Sequence, residues 1–375
     1  MPPRHRPPAQ VWRFAAIAVM AVLGTTACGA SAEPRAEPET DGAPTSSPAT
    51  TALSPTPTPE PKQAPGPITI AFAGDVHFES QLRPRLDDPA TALAPIAPQL
   101  SAADLTVVNL ETSIGTSGTR EPKRFTFQAP PQALDALAAA GVDVVTMANN
   151  HGMDFGTGGL ADTLAAIPRA PLSVVGIGAD AGAAFAPALR EVNGTTVAVI
   201  GASSADDPTA DPTAQWAAED STPGIAVATD ADRLLDAVRA ADATADVVVV
   251  FMHWGIQGDR CPSTTQTTTA RVLADAGADV VVGSHAHVVQ GAGLLGDTYV
   301  AYGLGNFVWY TNGSEAASTT GVLTITVDGG QVVGESWAPA RIQADGLPRF
   351  SSGVDAETAV TAFADRRACT GLEPL

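Results

Sequence analysis

Five histidines stand in short polar motifs between residues 75 and 287, in the company of Asp75, Glu111, Asn150 and Asp154. The motifs are Gly74-Asp75-Val76-His77, Asn109-Leu110-Glu111, Asn149-Asn150-His151-Gly152-Met153-Asp154, His253-Trp254-Gly255, Gly283-Ser284-His285-Ala286-His287 and Gly303-Leu304-Gly305-Asn306-Phe307. Imidazole mixed with carboxylate and amide oxygen suits Mn, Fe or Zn, whereas a structural zinc site needs clustered thiolates. A lone histidine after a strand is more often a satisfied structural residue than a ligand. Five of them among acidic residues are hard to explain by structure alone. His285 and His287 would face opposite ways on a strand. At a strand-to-loop switch they can instead address two adjacent ions. There is no His-Glu-x-x-His, no Gly-x-x-x-x-Gly-Lys phosphate loop and no Gly-x-Ser-x-Gly nucleophile elbow, so those chemistries are disfavoured.

Each motif follows a short apolar run: Ile68–Ala73, Leu105–Val108, Val142–Met147, Val247–Met252, Val280–Val282 and Tyr299–Tyr302. Two further runs are Leu172–Val175 and Thr196–Ile200, and helical periodicity marks Pro131–Ala140, Gly159–Ile167, Ala231–Ala241 and Thr268–Ala276. Runs apolar at every position read as strands covered on both faces. The pattern is an α/β domain, and in open α/β sheets ligands bind at the carboxyl ends of the strands. The motifs are therefore expected along one edge. Beyond Asn312 the pattern turns to β and loop, with Val322–Val327 and Gln331–Trp337 flanking Asp328-Gly329-Gly330.

The chain has 375 residues, 40 acidic and 20 basic, for a formal charge of -20. That balance argues against nucleic acid or anionic lipid as a partner. At 45% hydrophobic it is too apolar to be wholly disordered. Residues 1–27 read as an export signal: Arg4, Arg6 and Arg13 precede an apolar stretch from Phe14 to Gly24, too short to span a bilayer. It ends in Thr25-Thr26-Ala27-Cys28-Gly29, which resembles a lipoprotein lipobox, with Cys28 the residue to be lipidated; the alternative is ordinary secretion after Ala27. Removing the three arginines takes the charge to -23. Residues 28–66 form a Pro/Thr/Ala-rich disordered linker, a stalk with a reach on the order of 120 Å. A catalytic domain is expected over residues 67–311, with a β and loop extension over residues 312–375 packing on it. In an oxidising compartment Cys261 and Cys369 remain as an even pair open to a disulfide.

The ordered series Gly-Asp-Val, Asn-Leu-Glu, Ala-Asn-Asn-His-x-x-Asp, His-Trp-Gly, Gly-x-His-x-His-Val-x-Gln and Leu-Gly-Asn-Phe resembles the bacterial capsule-synthesis CapA family. That family is linked to poly-γ-glutamate capsules and is similar to the calcineurin-like metallophosphoesterases. The resemblance covers about Ile68 to Val308. It implies an α/β sandwich with helices on the outer faces and a two-metal site at the strand ends. By this likeness Asp75 and His77 match ligands of one ion, Asn150 and His253 ligands of a second, and Glu111 the bridging carboxylate, where the superfamily has Asp. His285 and His287 match the closing pair, on the second and first ions respectively. His151 matches the general acid, oriented by Asp154. Gln257 stands where the family usually has an acidic residue. Asn109, Asn306, Lys123 and Arg124 are expected to contact an anionic substrate, the two cations reading alternatively as a solvated turn.

The function implied is a membrane-tethered, metal-dependent hydrolase of phosphoester type acting in capsule or envelope-polymer synthesis, facing the cell exterior within a capsule-synthesis membrane complex. Two alternatives stand beside it: a non-catalytic accessory protein for polymer export or anchoring, and an amide-bond hydrolase or transferase acting on the polymer.

Overall fold

The computed structural model describes residues 66–205, 213–310 and 313–375, all within one unit spanning Lys62–Leu375. The expected signal, Cys28 and the linker up to residue 65 lie outside the described residues.

The chain first lays down four parallel strands, β1 (Ile68–Val76), β2 (Leu105–Leu110), β3 (Val144–Thr146) and β4 (Ser173–Val175), with helices α1 (Gln132–Ala139) and α2 (Gly156–Ala166) between them. It then builds a second sheet from β5 (Ala188–Val192), β6 (Thr195–Ala205), β7 (Val247–Gly255), β8 (Val280–His285), β9 (Ala292–Leu295) and β10 (Thr298–Ala301). Helices α3 (Ala231–Asp242) and α4 (Thr264–Asp275) are the crossovers of this sheet, whose order is β9-β10-β8-β7-β6-β5. The chain finally returns to the first sheet. There β11 (Asn306–Val308) pairs with the end of β1, and β12 (Thr319–Asp328) pairs antiparallel with β1, followed by β13 (Gln331–Ile342) and β14 (Pro348–Phe350).

The strands are apolar at successive positions because both faces are covered. In β7, Val247, Val249 and Phe251 pack between the sheets against Ile70, Phe72 and Val107. Val248, Val250 and Met252 pack on the outer face with Leu234 and Val238 of α3 and Leu273 of α4. The outer face of the first sheet is covered in the same way, Val108 and Val145 meeting Leu134 and Leu137 of α1 and Leu160 of α2. Each fully buried side chain of this kind contributes about 1.5–3 kcal/mol. The result is the expected α/β sandwich, helices outside and two sheets within.

Two features depart from the sequence pattern. The residues after 312 are part of the first sheet, since β12 lies beside β1. They also include a 13-residue helix, α5 (Gly353–Asp365), where β and loop were expected. Its sequence is alanine-rich with one fully packed anchor, Phe363, stacked 4.4 Å from Trp337, so its amphipathic signal is weak.

Candidate metal centre

The strand ends converge as the motif order requires. Asp75, next to last in β1, lies between two asparagines, in register with Asn109 of β2 and Asn306 of β11. The ladder is irregular here because β1 and the segment before β11 approach unusually closely. A Cβ on Gly74 would lie 1.8 Å from the Gly305 carbonyl oxygen, so only glycine fits. Gly305 O accepts from the Asp75 amide at 3.0 Å, and the Glu111 amide donates to Val76 O at 2.8 Å, which fixes both carboxylate-bearing residues. The first sheet thus supplies Asp75, Glu111, Asn150 and His151. The second supplies His253 from β7 and His285 and His287 from the end of β8.

Glu111 is the centre of the arrangement. Its Oε1 lies 3.7 Å from His151 Nε2, 3.7 Å from His253 Nε2 and 3.8 Å from His287 Nε2. His287 Nδ1 is 3.1 Å from Asp75 Oδ2 and 2.8 Å from Asn306 Oδ1. His285 Nδ1 is 3.0 Å from His253 Nε2, which in turn lies 2.8 Å from Asn150 Oδ1. Among the described residues two groups of donor atoms able to hold a cation emerge, Asp75-Glu111-His253 and Glu111-His285-His287, each with its atoms within 4.8 Å of one another. Both include Glu111. The grouping differs from the resemblance, which puts His253 with His285 and Asp75 with His287.

His285 and His287 can belong to one group because the chain turns sharply between them. Their φ angles are 84° and 55°, left-handed backbone that non-glycine residues seldom adopt. This breaks the strand alternation, and the two ring centroids come to 5.8 Å.

Burial sets the charge states. Asp75, Glu111, His253 and His285 are 0% exposed. Burial, reinforced by the charge of Asp75, pushes the Glu111 carboxyl well above its ordinary range. For Asp75 burial pulls upward too, but contacts with His287, Asn109 and Ser284 together hold it below the ordinary value. Burial also holds His253 well below, favouring the neutral imidazole that metal ligation requires. Both Glu111 oxygens are buried with no hydrogen-bond partner. A carboxylate in that condition is costly. A divalent cation is the partner that this set of oxygen and imidazole donors suits, so the residues fit the expected metal.

His151 sits beside this cluster rather than in either group. Its Nδ1 is 2.6 Å from Asp154 Oδ2, its amide donates to Asn149 Oδ1 at 3.0 Å, and its ring stacks on Phe127 at 4.2 Å. Asp154 has a pKa raised to about 7, burial outweighing the ion pair with Lys123.

Several expected roles need correction. His77 belongs to neither donor group. Its Nδ1 accepts from the Glu79 amide at 3.0 Å, and its ring is enclosed by Phe127, Trp309 and Tyr310 at 4.7, 4.2 and 4.8 Å. One residue past β1, it has been drawn into an aromatic wall. Lys123 is no surface cation: its side chain is 3% exposed, its Nζ is 2.6 Å from Asp154 Oδ1, and it donates to Asn150 O. Asn109 and Asn306 are buried and bonded to other residues of the site. Asn109 Nδ2 donates to Asp75 Oδ1 at 2.8 Å, and Asn306 holds His287. Arg124 is exposed, stacked 4.8 Å over Phe125.

Sequence reasoning passed over Asn149, Ser284, Phe127, Trp309 and Gln290. Asn149 Nδ2 donates to Asn109 Oδ1 and Leu110 O at 3.0 and 2.9 Å, pinning the loop that carries Asn150 and His151. Ser284 Oγ is 3.0 Å from His253 Nδ1. Both lie inside the motifs, as does Gln290, which closes Gly-x-His-x-His-Val-x-Gln, and that was their only signal; the aromatic residues had none. Cys261 and Cys369 are joined, Cα to Cα 5.7 Å, tying the C-terminal segment to the loop after β7.

The family model described as bacterial capsule synthesis protein matches residues 69–311. The PGA biosynthesis protein CapA of Bacillus subtilis is 32% identical over 217 residues, 57% of this chain and 55% of that protein. The capsule biosynthesis protein CapA of Bacillus anthracis is 30% identical over 252 residues, 64% of this chain and 60% of that protein. The chain therefore spans little more than half the length of these relatives. Among solved structures, a Mycoplasma pneumoniae phosphatase aligns with a TM-score of 0.46 at 13% identity, over 78% of this chain and 97% of that one.

Proposed function

The chain belongs to the family of bacterial capsule synthesis proteins, and from that footing we propose that it is a metal-dependent hydrolase of phosphoester type serving poly-γ-glutamate capsule or related envelope-polymer synthesis. The observation that carries this reading is Glu111, a fully buried carboxylate without a hydrogen-bond partner, shared by two groups of donor residues. Asp75, Glu111, His253, His285 and His287, with Asn150, would hold two divalent ions of Mn, Fe or Zn. Such ions supply Lewis acidity and a nucleophilic water near neutral pH.

The chain's own residues do the rest. His151 turns Nε2 toward the cluster while Asp154 holds Nδ1, so it is placed to give a proton to a leaving group. Lys123 balances the Asp154 charge, and Asn109 and Asn306 hold Asp75 and His287 in place. Substrate reaches the cluster from the side of His287, whose side chain is 18% exposed while its neighbours are almost wholly covered. Arg124, exposed on the segment that leads into Phe127, meets the anionic part of the substrate. The protein is exported and tethered through a lipid on Cys28, the Pro-rich stretch acting as a stalk and the domain working within a capsule-synthesis membrane complex; the support is the N-terminal sequence.

The test is metal analysis of the purified chain together with hydrolysis of a chromogenic phosphodiester after Mn addition. Bound metal and hydrolysis that Asp75→Asn or His253→Ala abolishes support the reading. No metal and no turnover after reconstitution refute it. The near-complete burial of the ligands favours a second reading, a non-catalytic accessory protein for polymer export or anchoring that uses the fold as a scaffold. Full function in cells of the Asp75→Asn and His253→Ala variants would decide for it.

A further inference from the structure

Three residues beyond His287, Gln290 is 1% exposed and joins three separate segments. Its amide nitrogen Nε2 donates to Asp259 O at 2.9 Å and Cys261 O at 3.2 Å. Its Oε1 accepts from Gln266 Nε2 of α4 at 2.9 Å, and its backbone N donates to Gly303 O at 2.8 Å. Gln266 Nε2 in turn donates to Tyr302 O at 3.2 Å. Around this residue the chain is tied further: Gly258 N donates to Ala286 O at 2.8 Å and Arg366 Nη1 to Val289 O at 2.9 Å. The segments so joined are the loop after β7, the stretch leading to Asn306, and the C-terminal turn that Cys369 links to Cys261.

The turn being held is the one on which both His285 and His287 have positive φ. Such backbone persists only where its surroundings over-determine it, and it concentrates at functional sites. The stretch that Gln290 grips at Gly303 also carries Gly305, whose carbonyl receives the Asp75 amide, and Asn306, which holds His287 Nδ1. The buried carboxamide therefore ties the ligand turn from behind to the loop after β7 and to α4, while the backbone amide of the same residue holds the Asn306 segment beside it.

We propose that Gln290 is a positioning residue of the metal centre, clamping the left-handed turn that directs His285 and His287 to Glu111. The proposal rests on the metal reading above. Outer-shell partners of metal ligands change affinity by about 10–100-fold when removed. An apolar side chain of the same length would fill the space but take the Nε2 donor from the carbonyls of Asp259 and Cys261 and leave one N–H of Gln266 unmatched.

The experiment is Mn titration of the metal-stripped full chain, read by electron paramagnetic resonance, with urea unfolding of each metal-free protein alongside. Gln290→Met is expected to bind Mn about 10–100-fold more weakly than the native chain. Leu137→Ala, a cavity under α1 remote from the site, is expected to lose stability yet keep native affinity. Native affinity in Gln290→Met, or an equal loss in Leu137→Ala, overturns the proposal. If Gln290→Met does not fold, Gln266→Met removes the partner of Oε1 and is expected to weaken Mn binding in the same direction; native affinity there overturns it too. A native chain that binds no Mn, Zn or Fe refutes the metal reading and this proposal with it. A native chain that binds metal beside variants that bind equally well refutes this proposal alone.

Discussion

His151 Nδ1 lies 2.6 Å from Asp154 Oδ2, and the other Asp154 oxygen is 2.6 Å from Lys123 Nζ. The imidazole is thereby fixed in orientation, with Nε2 left facing the ligand cluster. If it acts as the general acid, His151→Gln should lower phosphodiester hydrolysis by about 10²–10⁴-fold. Metal content should be unchanged, because His151 lies outside both donor groups. Turnover numbers measured beside bound metal per chain check this; a parallel loss of metal would make His151 a ligand instead.

Glu111 bears on stability as well as chemistry. A ligand present at 100 times its dissociation constant stabilises a folded protein by about 2.7 kcal/mol. Mn should therefore raise the melting temperature of the native chain. Glu111→Gln should abolish that rise while leaving the metal-free melting temperature close to native or above it, since a buried unpartnered carboxyl has gone. Melting curves with and without Mn decide.

His77 gives a pH dependence that is separable from metal binding. Burial holds its imidazole well below the ordinary value of 6.5. Below about pH 6.5 the unfolded chain takes up a proton that the folded chain refuses, so stability falls as pH falls toward the folded pKa. The slope is about 1.4 kcal/mol per pH unit for one such group. His77→Phe should flatten the loss between pH 6.5 and 5 in the metal-free protein, whatever its offset at pH 7. Urea midpoints across that range test it.

Gly74 is predicted to be intolerant even of alanine. A Cβ there would meet the Gly305 carbonyl oxygen at 1.8 Å, and both neighbours are backbone that cannot rotate away. Gly74→Ala should cost about 1–3 kcal/mol or more. It should also weaken Mn binding, because Asp75 hangs on the Gly305 contact. A variant with native urea stability and native Mn affinity would show that the two segments separate at little cost.

The strands were legible because burial on both faces leaves an unbroken apolar run, as in Val247–Met252, and the site was legible because each run ends in a polar motif. The residues misjudged are those whose surroundings come from far along the chain. Nothing near His77 announces that Phe127, Trp309 and Tyr310 will enclose it. Pro122-Lys123-Arg124 reads as a surface turn, yet Lys123 folds under to reach an aspartate 31 residues later, over the Trp216 ring. The pairing of His285 with His287 depended on backbone angles that residue types alone do not disclose. Helix α5 hides in an alanine-rich stretch with one large anchor.

The bond between Cys261 and Cys369 spans 108 residues of sequence. The ring it closes includes β8 from one sheet and β12, which lies against β1 in the other. By the chain-entropy account, closing a loop of that size removes on the order of 4.7 kcal/mol of freedom from the unfolded chain. Two of the six residues of the ligand set, His285 and His287, therefore stay within the same closed loop even when the sheets have come apart. Opening the bond leaves those folded contacts available and enlarges the space of conformations from which they must be recovered.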